Sequence, residues 1–516
     1  MGLGDLKGLR VAAAVVFTAA AAAVFLDPGG WAVTALARPL TSLQFVPALL
    51  KAVTVAGIWT AGAVFVLLLT LLFGRVYCST LCPLGVLQDV VIRLRRRFGR
   101  RVRYRYERPP YAVHYGLLYV IAAAFLAGSV WLLDLVEPFS NFGRVLAVLA
   151  RPPLAALVNG GSYLLGTAGI YALSPVQMHP LVWGAVAGAL LFLALVSLLA
   201  WHRGRLFCNL LCPTGALLGL AARFSLFRIV IDEHTCLDCG LCERVCKASC
   251  IDSTAKRVDM AACVGCFNCL DACPTVGMAY TLSRRGKSGM PSAPVRRGRR
   301  RVLAAFAAPL LAGGLAGSDS AARVAAGGVS KRPVTPPGAG GERRFTSACT
   351  ACHLCVSACP TRVLAPTFLE YGAAGVFQPR MDFHHSYCNY DCTACTAVCP
   401  TGALLPLTQD QKKEVQIGTS VFVKDDCIVV AKKTDCGACS EHCPTKAVQM
   451  VPYEKKLLIP ELDNDLCVGC GACEHACPTK PRKAIYVEAN VLHGRARRPA
   501  GTTAAPKTDV PEEFPF

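Results

Sequence analysis

The sequence predicts a multi-domain chain in which an α-helical integral membrane domain is joined to small, cysteine-rich α+β domains. Three observations predict it. The 516 residues have a mean hydropathy of +0.43 and only 17% charged residues, unlike an ordinary soluble enzyme. The 29 Cys fall into tight runs separated by long Cys-free stretches, whereas a disulfide scaffold is short and scatters its Cys. The formal charge of +21 is uneven: residues 1–339 hold 35 Lys+Arg against 14 Asp+Glu, while residues 340–516 hold 19 of each. The first part therefore reads as membrane, and the cysteines as metal ligands.

The membrane elements come first along the chain. Val11–Leu26, Ala52–Phe73, Ala112–Leu133 and Leu181–Trp201 are uncharged and apolar, which gives four expected spans. Trp31–Leu50 and Val145–Gln177 are also apolar, but Arg38-Pro39 and Arg151-Pro152-Pro153 interrupt them, so interfacial or re-entrant helices are expected there. Nine Arg lie between Arg93 and Arg108, and Arg203 and Arg205 follow the fourth span. This asymmetry places the N-terminus and the Arg-rich loop in the cytoplasm and accounts for the basic charge without nucleic-acid binding.

A repeat marks two membrane exits. GRVYCSTLCPLGVL (Gly74–Leu87) and GRLFCNLLCPTGAL (Gly204–Leu217) match at eight of fourteen positions. If a pseudo-twofold relates the two halves, Cys78, Cys82, Cys208 and Cys212 converge. They would then supply four thiolates to one more cluster or to zinc; a dithiol or structural role is the alternative. This membrane domain is assigned residues 1–225.

Residues 226–284 form the next domain. Cys236, Cys239, Cys242 and Cys246, then Cys263, Cys266, Cys269 and Cys273, follow C-x-x-C-x-x-C-x-x-x-C spacing. Three closely spaced thiolates on one loop hold three corners of a [4Fe–4S] cubane, and the fourth Cys reaches the neighbouring cluster. One cluster is therefore assigned to Cys236, Cys239, Cys242 and Cys273, and the other to Cys263, Cys266, Cys269 and Cys246. Zinc ribbons use paired C-x-x-C elements instead. Cys250 is left over and reads as structural.

Residues 285–317 are basic and then apolar. Arg296–Gly317 reads as a twin-arginine start followed by a 16-residue apolar stretch, either an export signal or a fifth apolar helix. Both readings put the rest of the chain on the far side of the membrane. Residues 318–342 are rich in Gly, Pro and Ser and read as a linker, and residues 495–516 as a disordered tail.

Between them, residues 343–494 carry four more Cys runs. The crossed pattern assigns Cys349, Cys352 and Cys355 with Cys399; Cys388, Cys392 and Cys395 with Cys359; Cys427, Cys436 and Cys439 with Cys477; and Cys467, Cys470 and Cys473 with Cys443. Six [4Fe–4S] clusters result in all, and the soluble parts are expected to be α+β domains of bacterial ferredoxin type. Cys349 to His353 also spells a C-x-x-C-H haem motif, but it lies inside a full cluster run.

These motifs resemble two known modules joined in one chain. Residues with the C-x-x-x-C-P motifs at Cys78–Pro83 and Cys208–Pro213, followed by a two-cluster ferredoxin, resemble the NapH-type membrane quinol dehydrogenase. The twin-arginine segment, PPGAGGERRFTSAC and the four-cluster array resemble the exported NapG-type and MauM-type ferredoxins. The resemblance implies a protein of the bacterial cytoplasmic membrane that oxidises quinol and passes single electrons to a periplasmic oxidoreductase or cytochrome. It places residues 226–284 in the cytoplasm and 343–494 in the periplasm.

Candidate quinone-site groups are Glu137 and His179, toward the far face, and His114 and His202, near the cytoplasmic edge; the last two are also conceivable haem ligands. The alternative function is a maturation or repair factor that supplies electrons to a metal centre of a partner enzyme. No flavin, nucleotide or molybdopterin motif accompanies the Cys runs, so an enzyme with its own organic substrate is disfavoured.

Overall fold

The computed structural model describes residues 3–27, 29–55, 61–98, 104–107, 109–178, 181–275, 277–282, 332–454 and 456–499. The twin-arginine segment, His179 and most of the expected linker and tail lie outside the described residues.

Helix α1 (Leu3–Leu26) opens a bundle, and three helices in it are long and apolar enough to cross a membrane: Leu6–Leu26, Pro138–Thr167 and Trp183–Arg203. Only 28%, 22% and 22% of their apolar windows are covered by protein, so most of that surface needs lipid as its partner. Two of the expected spans are shorter than about 20 residues. Ala52–Phe73 yields a 13-residue helix, Ala61–Phe73, and Ala112–Leu133 a 16-residue one, Tyr111–Leu126.

The stretch expected to be re-entrant from Val145 instead belongs to a 30-residue helical rod, Pro138–Thr167. Pro152 and Pro153 fall in the first turn of its second half, where their missing N–H groups leave no hydrogen bond unmade. A π-helical turn at Leu146–Ala150 shifts the hydrogen-bond register just before them.

Trp31–Leu50 does turn back. Helices α2 (Trp31–Ser42) and α3 (Phe45–Val55) meet at 86°, with the break past Pro39, at Leu43-Gln44. Gln44 at this turn is fully buried; its Nε2 donates to Leu81 O at 3.1 Å and its Oε1 accepts from the Tyr77 hydroxyl at 3.0 Å.

The two Cys-rich regions pack on opposite ends of this bundle. Near the start of α1, Lys7 pairs with Asp271 of the two-cluster region; near its end, Phe25 O accepts from Ser357 Oγ at 3.3 Å. At 1.5 Å per residue, those points are about 27 Å apart along the helix. Helix Trp183–Arg203 repeats the arrangement. A Cβ on Gly184 or Gly188 would fall 2.4 or 2.3 Å from the rings of Phe368 or Phe377 in the C-terminal region. At its other end Arg205 N donates to Lys247 O at 2.8 Å.

Both regions are built from short antiparallel pairs. In the first, β1 (Phe227–Ile231) pairs with β4 (Met278–Leu282) and β2 (Ile251–Asp252) with β3 (Arg257–Val258). In the second, β5 (Leu364–Pro366) pairs with β6 (Pro379–Met381), β8 (Val448–Pro452) with β9 (Leu458–Leu462), and β7 (Val415–Phe422) with β10 (Ile485–Arg495) across a bulge between Ala489 and Gly494.

The folded C-terminal region is wider than its expected 343–494 limits. From the expected linker, Val334, Thr335 and Ala339 are buried, Val334 O accepts from Met381 N at 2.9 Å, and Gly338 O from Leu405 N at 2.9 Å. Gly338 sits at φ 83 with Leu405 O only 2.6 Å from where a Cβ would be, so its glycine is required by packing. At the other end, Arg497 pairs with Asp463 and Arg498 with Glu414, which holds the start of the expected disordered tail. Composition alone does not separate a Pro/Gly-rich clasp from a flexible linker.

Candidate metal centres

The regular Cys runs share a local device. Between the second and third Cys stand Gly240, Phe267, His353 and Gly471, at φ 64, 58, 61 and 78. Each caps a five-residue helix that ends immediately before the fourth Cys: Cys246, Cys273, Cys359 or Cys477. The left-handed residue turns the wrapping loop into the helix, and the helix carries the fourth thiol to the neighbouring set.

Four of the six expected sets each line one cavity. Cys236, Cys239, Cys242 and Cys273 line one cavity of about 400 Å³. Cys427, Cys436, Cys439 and Cys477 line one of about 340 Å³, Cys443, Cys467, Cys470 and Cys473 one of about 300 Å³, and Cys359, Cys388, Cys392 and Cys395 one of about 310 Å³. Cys349, Cys355 and Cys399 meet in one packed core, and Cys246, Cys263, Cys266 and Cys269 in another. Among the described residues, no three metal-binding side chains are close enough together for a single ion. Cys250, read as structural, has its Sγ 3.5 Å from Cys246 Sγ and also hydrogen-bonds Cys263.

Sequence reasoning missed the threonines two residues beyond the ligands. Thr361, Thr401, Thr445 and Thr479 place Oγ1 at 3.6, 3.9, 3.7 and 3.1 Å from the Sγ of Cys359, Cys399, Cys443 and Cys477, and Thr275 does the same for Cys273. The recurring Cys-Pro-Thr triplet was the signal. The haem reading of His353 is not supported by its surroundings: its Nε2 bonds Phe377 O at 2.8 Å, and burial, with Arg144 nearby, lowers its pKa to about 3.

Cys78, Cys82, Cys208 and Cys212 line a single cavity of about 240 Å³ together with Tyr77, Leu84, Gln88, Pro138, Phe207 and Thr214. The repeats contribute alike. Arg75 donates to Cys208 O at 3.1 Å and reaches Cys78 Sγ at 3.9 Å; Arg205 donates to Cys78 O at 3.0 Å and reaches Cys208 Sγ at 3.9 Å. Each arginine thus crosses to the other repeat. Gly85 and Gly215 are required for this closeness, since a Cβ there would lie 2.2 and 2.1 Å from the carbonyls of Cys78 and Cys208. Beneath the site, Asp89 pairs with Arg10, Arg205 and Lys247. Burial opposes its ionisation, but Arg205, Lys247 and Arg10 together hold the carboxyl well below its ordinary range. The repeated Gly-Arg before each C-x-x-x-C-P motif is the sequence signal for the two arginines.

The quinone-site candidates separate. Glu137 is buried and spent as an N-cap, accepting from Phe139 N at 3.0 Å and from Ser140 N. His114 is buried with Nε2 3.0 Å from Cys212 O. Neither lines the four-Cys cavity itself: Glu137 precedes Pro138, which does, and His114 bonds the carbonyl of Cys212, which does. His202 is exposed in the last turn of its helix, whereas His114 is buried.

Comparison with known families assigns the metal. A 4Fe-4S binding domain family matches residues 55–101 and 184–231, and a 4Fe-4S dicluster domain family matches 348–403 and 434–480. The chain's relatives are membrane-associated, ferredoxin-type electron-transfer proteins. It is 28% identical over 268 residues to the ferredoxin-type protein NapH of Escherichia coli, covering 50% of this chain and 78% of the relative. It is 27% identical over 264 residues to the methylamine utilization ferredoxin-type protein MauN of Methylorubrum extorquens, covering 50% and 77%. NapH of Haemophilus influenzae is 27% identical over 221 residues, 41% of this chain and 64% of that protein.

Proposed function

We propose that the protein takes electrons from the membrane quinol pool, or from a cytoplasmic donor, and passes them to a periplasmic oxidoreductase or cytochrome. Six [4Fe–4S] clusters serve it, held by the six crossed Cys sets, and each supplies one-electron chemistry when bound. The observation that carries the reading is the position of these sets: two at one end of an apolar helical bundle and four at the other. Orientation follows from the Arg-rich segment 93–108, which puts residues 226–284 in the cytoplasm and residues 332–499 outside.

The chain's own residues supply the surroundings. Backbone N–H groups such as Leu404 N, 3.3 Å from Cys399 Sγ, and the Cys-Pro-Thr hydroxyls stabilise negative charge on the ligand sulfurs. His114, bonded to the carbonyl of Cys212 at the four-Cys cavity, is the group best placed to accept a proton if quinol is oxidised in the bundle.

The test is anaerobic reduction of the purified protein by a quinol analogue, followed by absorbance and low-temperature EPR, with iron counted in parallel. Rapid reduction with about 24 iron atoms per chain supports the reading. Reduction by a low-potential ferredoxin but not by quinol would replace the quinol pool with a cytoplasmic donor.

A further inference from the structure

We propose that Cys78, Cys82, Cys208 and Cys212 together hold a seventh [4Fe–4S] cluster inside the helical bundle, which relays electrons between the two-cluster region and the C-terminal region. The relay rests on the six-cluster reading above and supplies what that reading lacks, a redox centre between the two ends.

The first argument is the cavity itself. Four thiols, each 4–5% exposed, line one void of about 240 Å³, close in size to the 300 Å³ void lined by Cys443, Cys467, Cys470 and Cys473. Aromatic and apolar side chains from Tyr77, Leu84 and Phe207 complete the wall and keep water out. The two segments that bring these thiols together are the two that match the 4Fe-4S binding domain family, and neither segment contains any of the ferredoxin-type ligands.

The second argument is charge. Arg75 is 1% exposed and its partners are Asn209 Oδ1, Ala261 O, Cys208 O and Cys78 Sγ; among the described residues it pairs with no carboxylate. Arg10, Arg205 and Lys247 share the single carboxylate of Asp89. A buried guanidinium is strongly destabilising without a countercharge. Four thiolates around an oxidised cubane leave a net charge of about −2, beside Arg75 and Arg205, which reach Cys78 Sγ and Cys208 Sγ.

The third argument is position. On one side, Asn209, next to Cys208, donates to Ala262 O at 3.1 Å, and Ser79, next to Cys78, donates to Gly265 O at 3.2 Å; both carbonyls flank Cys263 and Cys266. On the other side, Pro138 lines the cavity, and Ser140 donates to Thr350 Oγ1 at 2.9 Å, between Cys349 and Cys352. Pro138 and Ser140 are two residues apart on one helix, about 3 Å along its axis. Each neighbouring Cys set is thus one short side-chain bridge away. One electron enters the centre from one neighbour and one leaves to the other; no bond is made or broken and no proton is required.

The experiment is an iron and acid-labile sulfide count on the anaerobically purified full chain, with the Cys78→Ser/Cys208→Ser variant beside it. Wild type is expected to carry about 28 iron atoms and the variant about 24, with its ferredoxin-type EPR signals intact. In proteoliposomes, an impermeant reductant applied at the two-cluster side should reduce the C-terminal clusters of wild type and fail with the variant. Direct reduction of those clusters from their own side should survive. Wild type with about 24 iron atoms, zinc at the site, or a variant with unchanged iron and unchanged transfer overturns the proposal while the six-cluster reading stands. A wild-type count well below 24 overturns the six-cluster reading instead. If the double variant does not fold, Gln88→Leu serves: its Nε2 lies 3.3 Å from Cys208 Sγ, and its loss should shift the potential of one cluster signal and leave the iron count intact. An unshifted signal counts against the proposal.

Discussion

Thr479 makes the shortest approach of the Cys-Pro-Thr series, 3.1 Å from Cys477 Sγ. A hydroxyl aimed at a ligand sulfur stabilises the reduced, more negative state. Thr479→Val is therefore expected to lower the reduction potential of one C-terminal cluster, read by redox titration, and to leave the iron count unchanged. His493 gives a pH prediction at the same scale. Its Nε2 lies 2.8 Å from Thr335 Oγ1, and burial lowers its pKa to about 4. The unfolded chain binds this proton near the ordinary value of about 6.5, so the stabilisation is present above that pH and is lost as pH falls from there through 4. On the order of 2 kcal/mol is expected to disappear over that window, and His493→Gln should flatten it in denaturant titrations followed by circular dichroism. The ligand cysteines were legible because spacing along one loop is a local property. The residues that set their electrostatics, such as Arg75 and Asp89, were not, because most of their partners lie far along the chain, as Asn209 does from Arg75 and Arg205 from Asp89.

Among the elements, the rod Pro138–Thr167 runs through a stretch expected to be interrupted. An Arg-Pro-Pro sequence ordinarily ends a helix, yet here Arg151 turns away from lipid and donates to Ser357 O at 3.0 Å in the C-terminal region. Arg144 in the same rod forms a fully buried pair with Asp134. Asp134→Asn leaves that guanidinium without its countercharge, and a loss of about 3–5 kcal/mol is expected, visible as a lower thermal unfolding midpoint. Helix Trp183–Arg203 carries a second test. Gly188→Val pushes a side chain into Phe377, and overpacking of about 1–3 kcal/mol should loosen the docked C-terminal region. The measurement is hydrogen exchange, with faster exchange expected around Phe377 and little change around β1 and β4.

For the whole molecule, the arrangement is a bundle with redox regions packed directly onto both ends, so sidedness has a simple consequence. Protease added to right-side-out membrane vesicles is expected to cut residues 332–499 and to spare residues 226–282; the reverse pattern would invert the orientation drawn from the Arg-rich segment. The direct packing also ties both regions into the cores of the bundle. Phe25 and Phe139 of the bundle share a core with Cys352 and Leu354, and Cys208 shares one with Cys263.

The sequence by itself determined the cysteine sets, the ferredoxin-type α+β regions and the presence of a membrane domain. Each of these rests on short-range spacing or on composition over a window of residues. Only the tertiary structure decided that the expected linker is part of the C-terminal fold, that α2 and α3 turn back inside the bundle, and that Glu137 caps a helix while His114 bonds the Cys212 carbonyl. It also decided how two distant repeats close on one another, with each arginine satisfying the other repeat's backbone. Those features depend on which buried polar groups find partners across the fold, and a linear pattern carries no record of that pairing.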